Sequence, residues 1–381
     1  AGYIYTSGKN RFLLNSIVKK SIRSLKKMKL YHKIKTAAKS ALIFTLLLSS
    51  FSFAGDRSRY GTSAAPELLI PVGSRGTSLS GSMISSISGV DAMFWNPAGL
   101  SLMNNKTEVL ASHMKYIADI NINYVAGAVD MGNLGVIGAS LKSLSFGDEL
   151  VTTLESPMGT GEVWSPTYLT TSISYARKMS DKILFGATVK VIYEQILTVS
   201  STGFAVDFGL QYLAGKSGLK FGVALKNFGP SMTFDGSGLD QYYSPAGTPS
   251  GSTPEPRRVT LNDFSLPTTL ELGISYDVPI GKKNNVQFST TFQNNNFSSD
   301  EYRVGLEYNY NNYVFLRGAY AFTPDYKVED GLTRKDQNLF GPSFGVGLQY
   351  PFGTVKLGLD YSYRMTEKFQ PNQWFSFTMG F

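Results

Sequence analysis

The last nine residues, Gln373 to Phe381, read QWFSFTMGF. Phe375, Phe377, Met379 and Phe381 alternate with Ser376, Thr378 and Gly380. A period of two puts the apolar set on one face of a strand and the small polar set on the other. The alternation runs to the final aromatic without a polar tail or turn, which predicts a strand built into a larger sheet, with Phe381 as its terminus.

Working back from that end, strand follows strand. Candidates lie at 108–115, 120–130, 134–143, 168–178, 183–196, 202–213, 219–228, 268–278, 285–295, 301–311, 313–322, 342–350, 353–364 and 373–381. That makes fourteen, each long enough to cross a bilayer when tilted. Connections after even-numbered strands are short, such as Asn311–Asn312 and Phe352–Gly353. Three after odd-numbered strands are long, at 144–167, 229–267 and 323–341, and one carries SPAGTPSGSTPEP at 244–256. Short turns on one side and long loops on the other match a transmembrane barrel, with both barrel termini on the periplasmic side.

The faces support this. Val355, Leu357, Leu359, Tyr361 and Tyr363 alternate with Lys356, Gly358, Asp360, Ser362 and Arg364. Tyr302, Val304, Leu306, Tyr308 and Tyr310 alternate with Arg303, Gly305, Glu307 and Asn309. The apolar set is expected to face lipid, with Tyr and Phe forming girdles, and the polar set to line the lumen. An antiparallel sandwich also alternates, but it gives no reason for loop lengths to segregate.

The formal charge of +8 is misleading. Residues 1–54 hold 11 of the 36 Lys and Arg and none of the 28 Asp and Glu, which leaves −3 on the rest. Nucleic acid is therefore not an expected partner. Lys29 to Lys39 precede an apolar run from Ala41 to Phe53, too short for a membrane helix, and Ser52-Phe53-Ala54 offers a cleavage site before Gly55. This reads as a signal peptide over 29–54. Residues 1–28 are expected to be an over-extended N-terminus, with Met28 as the true start. An exported chain of this pattern is placed in the bacterial outer membrane, with lipid and the barrel-assembly machinery as partners. That machinery would read the C-terminal aromatic, Phe381.

Residues 55–107 differ from the barrel at 108–381. The segment is rich in small residues and has no strand period. Gly73, Gly76 and Gly81 lack dinucleotide spacing and are expected to make tight turns against a barrel wall. Asn96-Pro97 reads as a turn initiator, and Gly99 permits positive φ. A plug or hatch inside the lumen is the expected use, because fourteen strands enclose more space than their side chains fill.

The run PVGSRG…SLSG…SGVDAMFWNPAGLS resembles the N-terminal signature of the PorV/PorQ-like outer-membrane proteins, in the wider FadL-like superfamily. The resemblance spans 29–381 and places Asp91, Trp95, Asn96, Pro97, Ala98 and Gly99 in the plug signature. It implies an accessory of type IX-like protein secretion or a surface scaffold, partnered by secretion-system components or exported proteins. The alternative it implies is a FadL-like channel for uptake of a hydrophobic small-molecule ligand.

Candidate lumen charges are Asp207, Glu271, Arg303, Glu307, Arg317, Lys356, Asp360 and Arg364, with Lys190, Glu194, Lys220 and Lys226 beside them. Charges facing a wet interior mostly satisfy one another; a subset could guide a carboxylate or polar head. Catalysis is not expected. His113 is the single histidine beyond the leader, no GxSxG elbow occurs, cysteine is absent, and no metal-ligand spacing or cofactor motif is present.

Overall fold

The computed structural model describes residues 59, 61–247, 249, 251–323 and 339–381. The expected N-terminal extension and signal peptide lie outside the described residues, as does most of the 323–341 loop.

The chain first forms an irregular segment with two short helices, α1 (Ser74–Ser78) and α2 (Ala92–Trp95), and 3-10 turns at Pro66–Leu69 and Pro97–Leu102. Fourteen long strands follow. They are β1 (Thr107–Lys115), β2 (Asn121–Asp130), β3 (Val136–Ser145), β4 (Thr167–Lys178), β5 (Ile183–Ile196), β6 (Val199–Leu213) and β7 (Leu219–Phe228). The second half holds β8 (Thr269–Ile280), β9 (Asn284–Asn295), β10 (Glu301–Tyr310), β11 (Val314–Phe322), β12 (Phe340–Phe352), β13 (Val355–Thr366) and β14 (Asn372–Gly380).

Each strand pairs antiparallel with its sequence neighbour. The sheet closes on itself where β1 meets β14, from Glu108 opposite Gly380 to Lys115 opposite Gln373. Phe381 extends that seam: its N–H donates to the Thr107 carbonyl at 2.8 Å, and its carbonyl accepts from Lys106 N–H at 2.8 Å. The terminal stretch is thus the closing strand, and a closed barrel leaves no unpaired edge. Among the described residues no helix is long and apolar enough to cross a membrane; the strands make the crossing.

Strand positions follow the alternation, and turns follow local chemistry. Asn311 and Asn312 both take positive φ, 53° and 58°, which asparagine tolerates in a tight reversal. The β5–β6 connection is shorter than the alternation suggests. Val199, Ser200 and Ser201 join the ladder opposite Ile196, Gln195 and Glu194, so Leu197 and Thr198 alone make the turn. Polar side chains hid this extension, because backbone pairing does not require apolar residues.

The outer face is apolar. Leu359 is 59% exposed, Phe204 55% and Val189 53%, whereas the intervening Ser362, Asp207 and Thr188 are buried. His113 lies on this outer face, exposed, with Nδ1 2.8 Å from Asn123 Oδ1.

Residues 64–103 are almost wholly buried. They pack against inward-facing glycines of seven strands. A Cβ on Gly138 would come 2.8 Å from Met93, on Gly186 2.3 Å from Pro97, and on Gly209 2.1 Å from Asn96. On Gly222, Gly273, Gly305 and Gly345 it would strike Ser85, Ile84, Ser82 and Ser78 at 2.2 to 2.5 Å. Glycine within a strand marks close backbone approach, and here it opens room for a second layer of chain.

The segment's own glycines divide. Gly73 and Gly81 take φ of +77° and +74°, as turn positions do. Gly76 and Gly99 have a different reason. A Cβ on Gly76 would lie 2.1 Å from Trp95 Nε1, and one on Gly99 2.1 Å from the Ile87 carbonyl oxygen. Gly99 does not use the positive φ that glycine permits; close packing demands glycine there.

Candidate functional site

Polar contacts tie the inner segment to the wall. Asn96 caps the Pro97–Leu102 turn, its Oδ1 accepting from Ala98 N–H at 3.2 Å. Its Nδ2 donates to the Ile84 carbonyl at 2.8 Å and reaches the carbonyls of Leu210 at 3.3 Å and Val223 at 3.4 Å. Pro97 and Ala98 follow, fully enclosed beside β5 and β6. Trp95 donates from Nε1 to the Val72 carbonyl at 3.1 Å and stands edge-on to Phe94. Buried polar groups need partners, and most of this segment's find them round the barrel; the buried Ser85 hydroxyl finds none among the described residues.

Serine pairs repeat the arrangement. Ser74 meets Ser376 of β14 at 2.8 Å, Ser80 meets Ser343 of β12 at 3.0 Å, and Ser82 meets Ser289 of β9 at 2.7 Å. Gln211 of β6 donates to the carbonyls of Ile84 and Ile87, both at 3.0 Å. Lys142 of β3 donates to those of Glu67 and Ile70, both at 2.6 Å. Glu108 of β1 accepts from Val90 N–H at 3.1 Å.

Asp91 begins α2 but makes no side-chain cap. Burial pushes its carboxyl up to about 6, with the Arg75 charge opposing.

The lumen charges form separate groups. In the first, Arg317 reaches Glu307 at 2.6 Å and Asp360 at 2.5 Å, and Arg75 of the inner segment approaches Glu307 at 3.5 Å. In the second, Lys190 pairs with Asp207 at 2.6 Å and donates to Asn227 Oδ1 at 2.8 Å, while Asn227 N–H donates to Asp207 at 2.8 Å. Asn227 takes φ +58° beside a register shift in the β6–β7 ladder, a bulge that turns its amide onto the carboxylate.

In the third, Lys226 lies 3.3 Å from Glu271 and over the Phe94 ring at 4.6 Å. Arg303 pairs with Glu301 at 2.8 Å. Lys356 stands apart near the short-turn end, opposite Pro351 and Gly380. Arg364 also stands apart, its guanidinium 3.7 Å from the Phe340 ring centre.

A cavity of about 440 Å³ lies on the long-loop side of the inner segment. Leu69, Phe94, Trp95, Phe322 and Phe340 form its apolar surface; Lys226, Glu271, Glu301, Arg303 and Arg364 its charged one. Arg75, Lys142, Glu108 and Asn227 were not singled out from the sequence, although strand parity already turned Glu108 and Lys142 inward. Arg75 sits within the PVGSRG stretch, where the glycines drew the reading instead. Among the described residues no group of three or more His, Cys, Asp or Glu is placed to hold a metal ion.

A family model described as "Type IX secretion system protein PorV" matches residues 53–252. No curated protein matches. Among solved structures, the CymD monoaromatic hydrocarbon channel superposes with a TM-score of 0.51 at 14% identity, over 82% of this chain and 97% of that one. The toluene transporter TodX of Pseudomonas putida gives 0.49 at 13% identity, covering 86% of this chain and 99% of that one. A Pseudomonas aeruginosa FadL homologue gives 0.46 at 11%, covering 81% and 98%. At these identities the likeness is one of fold.

Proposed function

The chain belongs to the family of the type IX secretion system protein PorV, and from that premise we propose that it is an accessory of protein secretion in the outer membrane. In this reading residues 64–103 plug the lumen, and exported proteins or secretion components engage the barrel from the surface side. The observation that carries the plug is the bonding of the inner segment on every side. Asn96 alone bridges three backbone carbonyls from two wall strands and its own segment. Each such bond contributes about 0.5–1.5 kcal/mol net and costs more when a buried group loses its partner. A segment held this way favours a fixed scaffold over a gate. The mainly polar inner wall likewise offers little to a purely apolar cargo.

The test is gentle purification of the full chain from its own outer membrane, followed by mass spectrometry. Secretion components or exported proteins should accompany it, and a deletion strain should retain exported proteins in the periplasm. A barrel free of protein partners, carrying an apolar molecule of a few hundred daltons and leaving export intact on deletion, would instead establish the small-molecule channel.

A further inference from the structure

Three cations line the surface-side cavity, Lys226, Arg303 and Arg364, against two carboxylates, Glu271 and Glu301. One positive charge is left over. Lys226 is matched to Glu271. Arg303 turns one edge of its fork, Nε and Nη2, onto Glu301 Oε2 at 3.0 and 2.8 Å. In the surface loop Arg258 uses that same edge on the two oxygens of Asp240, at 2.7 and 3.2 Å.

Arg364 presents the same edge differently. Its Nε and Nη2 are buried and have no hydrogen-bond partner among the described residues. The Phe340 ring lies 3.7 Å from the guanidinium carbon and the Trp374 ring 5.2 Å away, fixing its orientation. Asn372, directly opposite Arg364 in the ladder, is fully buried, and both polar atoms of its side chain are likewise unpartnered. So is the hydroxyl of Ser362, two residues away on the same inner face and fully buried. Buried donors without partners are costly, and three such side chains side by side on adjoining strands point to a ligand.

We propose that Arg364 is the carboxylate-binding residue of a ligand site in the wall of this cavity, with Asn372 and Ser362, buried behind the lining, as its polar neighbours. A planar fork fits a planar carboxylate through two parallel bonds. The single surplus charge and the nearby Glu271 and Glu301 favour a monoanion over a phosphate dianion. Because the edge is covered by neighbouring side chains, binding requires a small adjustment of the cavity wall. The carboxylate could belong to a small organic acid or to the C-terminus of a peptide. The site does not depend on the secretion reading.

The experiment is calorimetry on the full barrel in lipid nanodiscs, with octanoate and octanamide as one pair of probes. A short apolar peptide with a free or an amidated C-terminus is the other. One-site binding of octanoate alone would identify a small-acid site, and of the free-acid peptide alone a chain-terminus site; neither amide should bind. Arg364→Met should weaken the bound acid about tenfold or more, the loss of a charged hydrogen-bonded pair. Arg364→Lys keeps the charge without the fork and should fall between. The proposal is overturned if neither acid binds, if acids and amides bind alike, or if Arg364→Lys, folded by heat-modifiability, binds the acid as tightly as the unmodified chain.

Discussion

The barrel wall and the segment inside it solve opposite problems. The wall faces lipid, so its apolar side chains lie outermost: Leu316, Leu348 and Phe375 are each about half exposed, at 48%, 52% and 56%. The inner segment has no lipid to face, and most of its apolar residues are enclosed. Ile84 and Ile87 are fully buried, and so are polar neighbours such as Ser82 and Asn96. On the wall each outward residue answers to a uniform solvent, and many apolar side chains serve equally. Inside, each residue meets a particular partner. The contrast teaches that specificity in this molecule resides on the inner surface, while the outer face needs only hydrophobicity of the right height.

The strongest way to break that contrast is Arg317→Met. Glu307 and Asp360 would then stay buried without their shared cation, a loss of roughly 3–5 kcal/mol. Urea unfolding in lipid vesicles should show a far larger drop than Leu316→Ala, one residue away on the lipid face. Equal losses would dissolve the distinction.

Gly186→Val tests the second layer. Its Cβ would lie 2.3 Å from the Pro97 carbonyl carbon, a backbone atom that cannot turn aside, and overpacking costs about 1–3 kcal/mol or more. Residues 64–103 should become open to protease while the barrel persists. Gly318→Ala is the matched control, since its Cβ meets nothing nearer than 3.7 Å; protection should be unchanged there.

Asn96→Ala sharpens the picture locally. Three carbonyls and the Ala98 N–H lose a partner, and a cost of about 1–3 kcal/mol is expected. Hydrogen exchange at residues 84–98 should quicken, whereas amides of β1 and β14 keep their rates.

The last effect is one of pH. The folded chain raises the Asp91 carboxyl from 3.8 to about 6, so folding favours the protonated form. Its contribution to stability is therefore complete below about pH 3.8 and declines as the pH climbs through about 6. Asp91→Asn should flatten the stability profile between pH 4 and 6.5; an unchanged slope would assign that titration elsewhere.

Much of the wall could be read directly, for a physical reason. Alternation such as Leu357, Leu359, Tyr361 against Gly358, Asp360, Ser362 is imposed by lipid on one face and a polar interior on the other, and one strand carries it without reference to the rest. Loop lengths are equally local, so the fourteen-strand order could be counted. The inner segment has no period because its surroundings have none. That Gly76 makes room for Trp95, or that Gly99 lies against the Ile87 carbonyl, depends on atoms brought together only by folding.

The sequence by itself determined the strands, their faces, their number and the side of each long loop, since these follow from a period of two and from the solvent on either side. Only the tertiary structure decided which charges meet. Arg317 finds Glu307 on the neighbouring strand and Asp360 two strands away, and Arg75 joins them from the inner segment. Arg364 is left between Phe340 and Trp374. Pairing across strands depends on register and barrel closure, and these are properties of the whole sheet that no single stretch of chain contains.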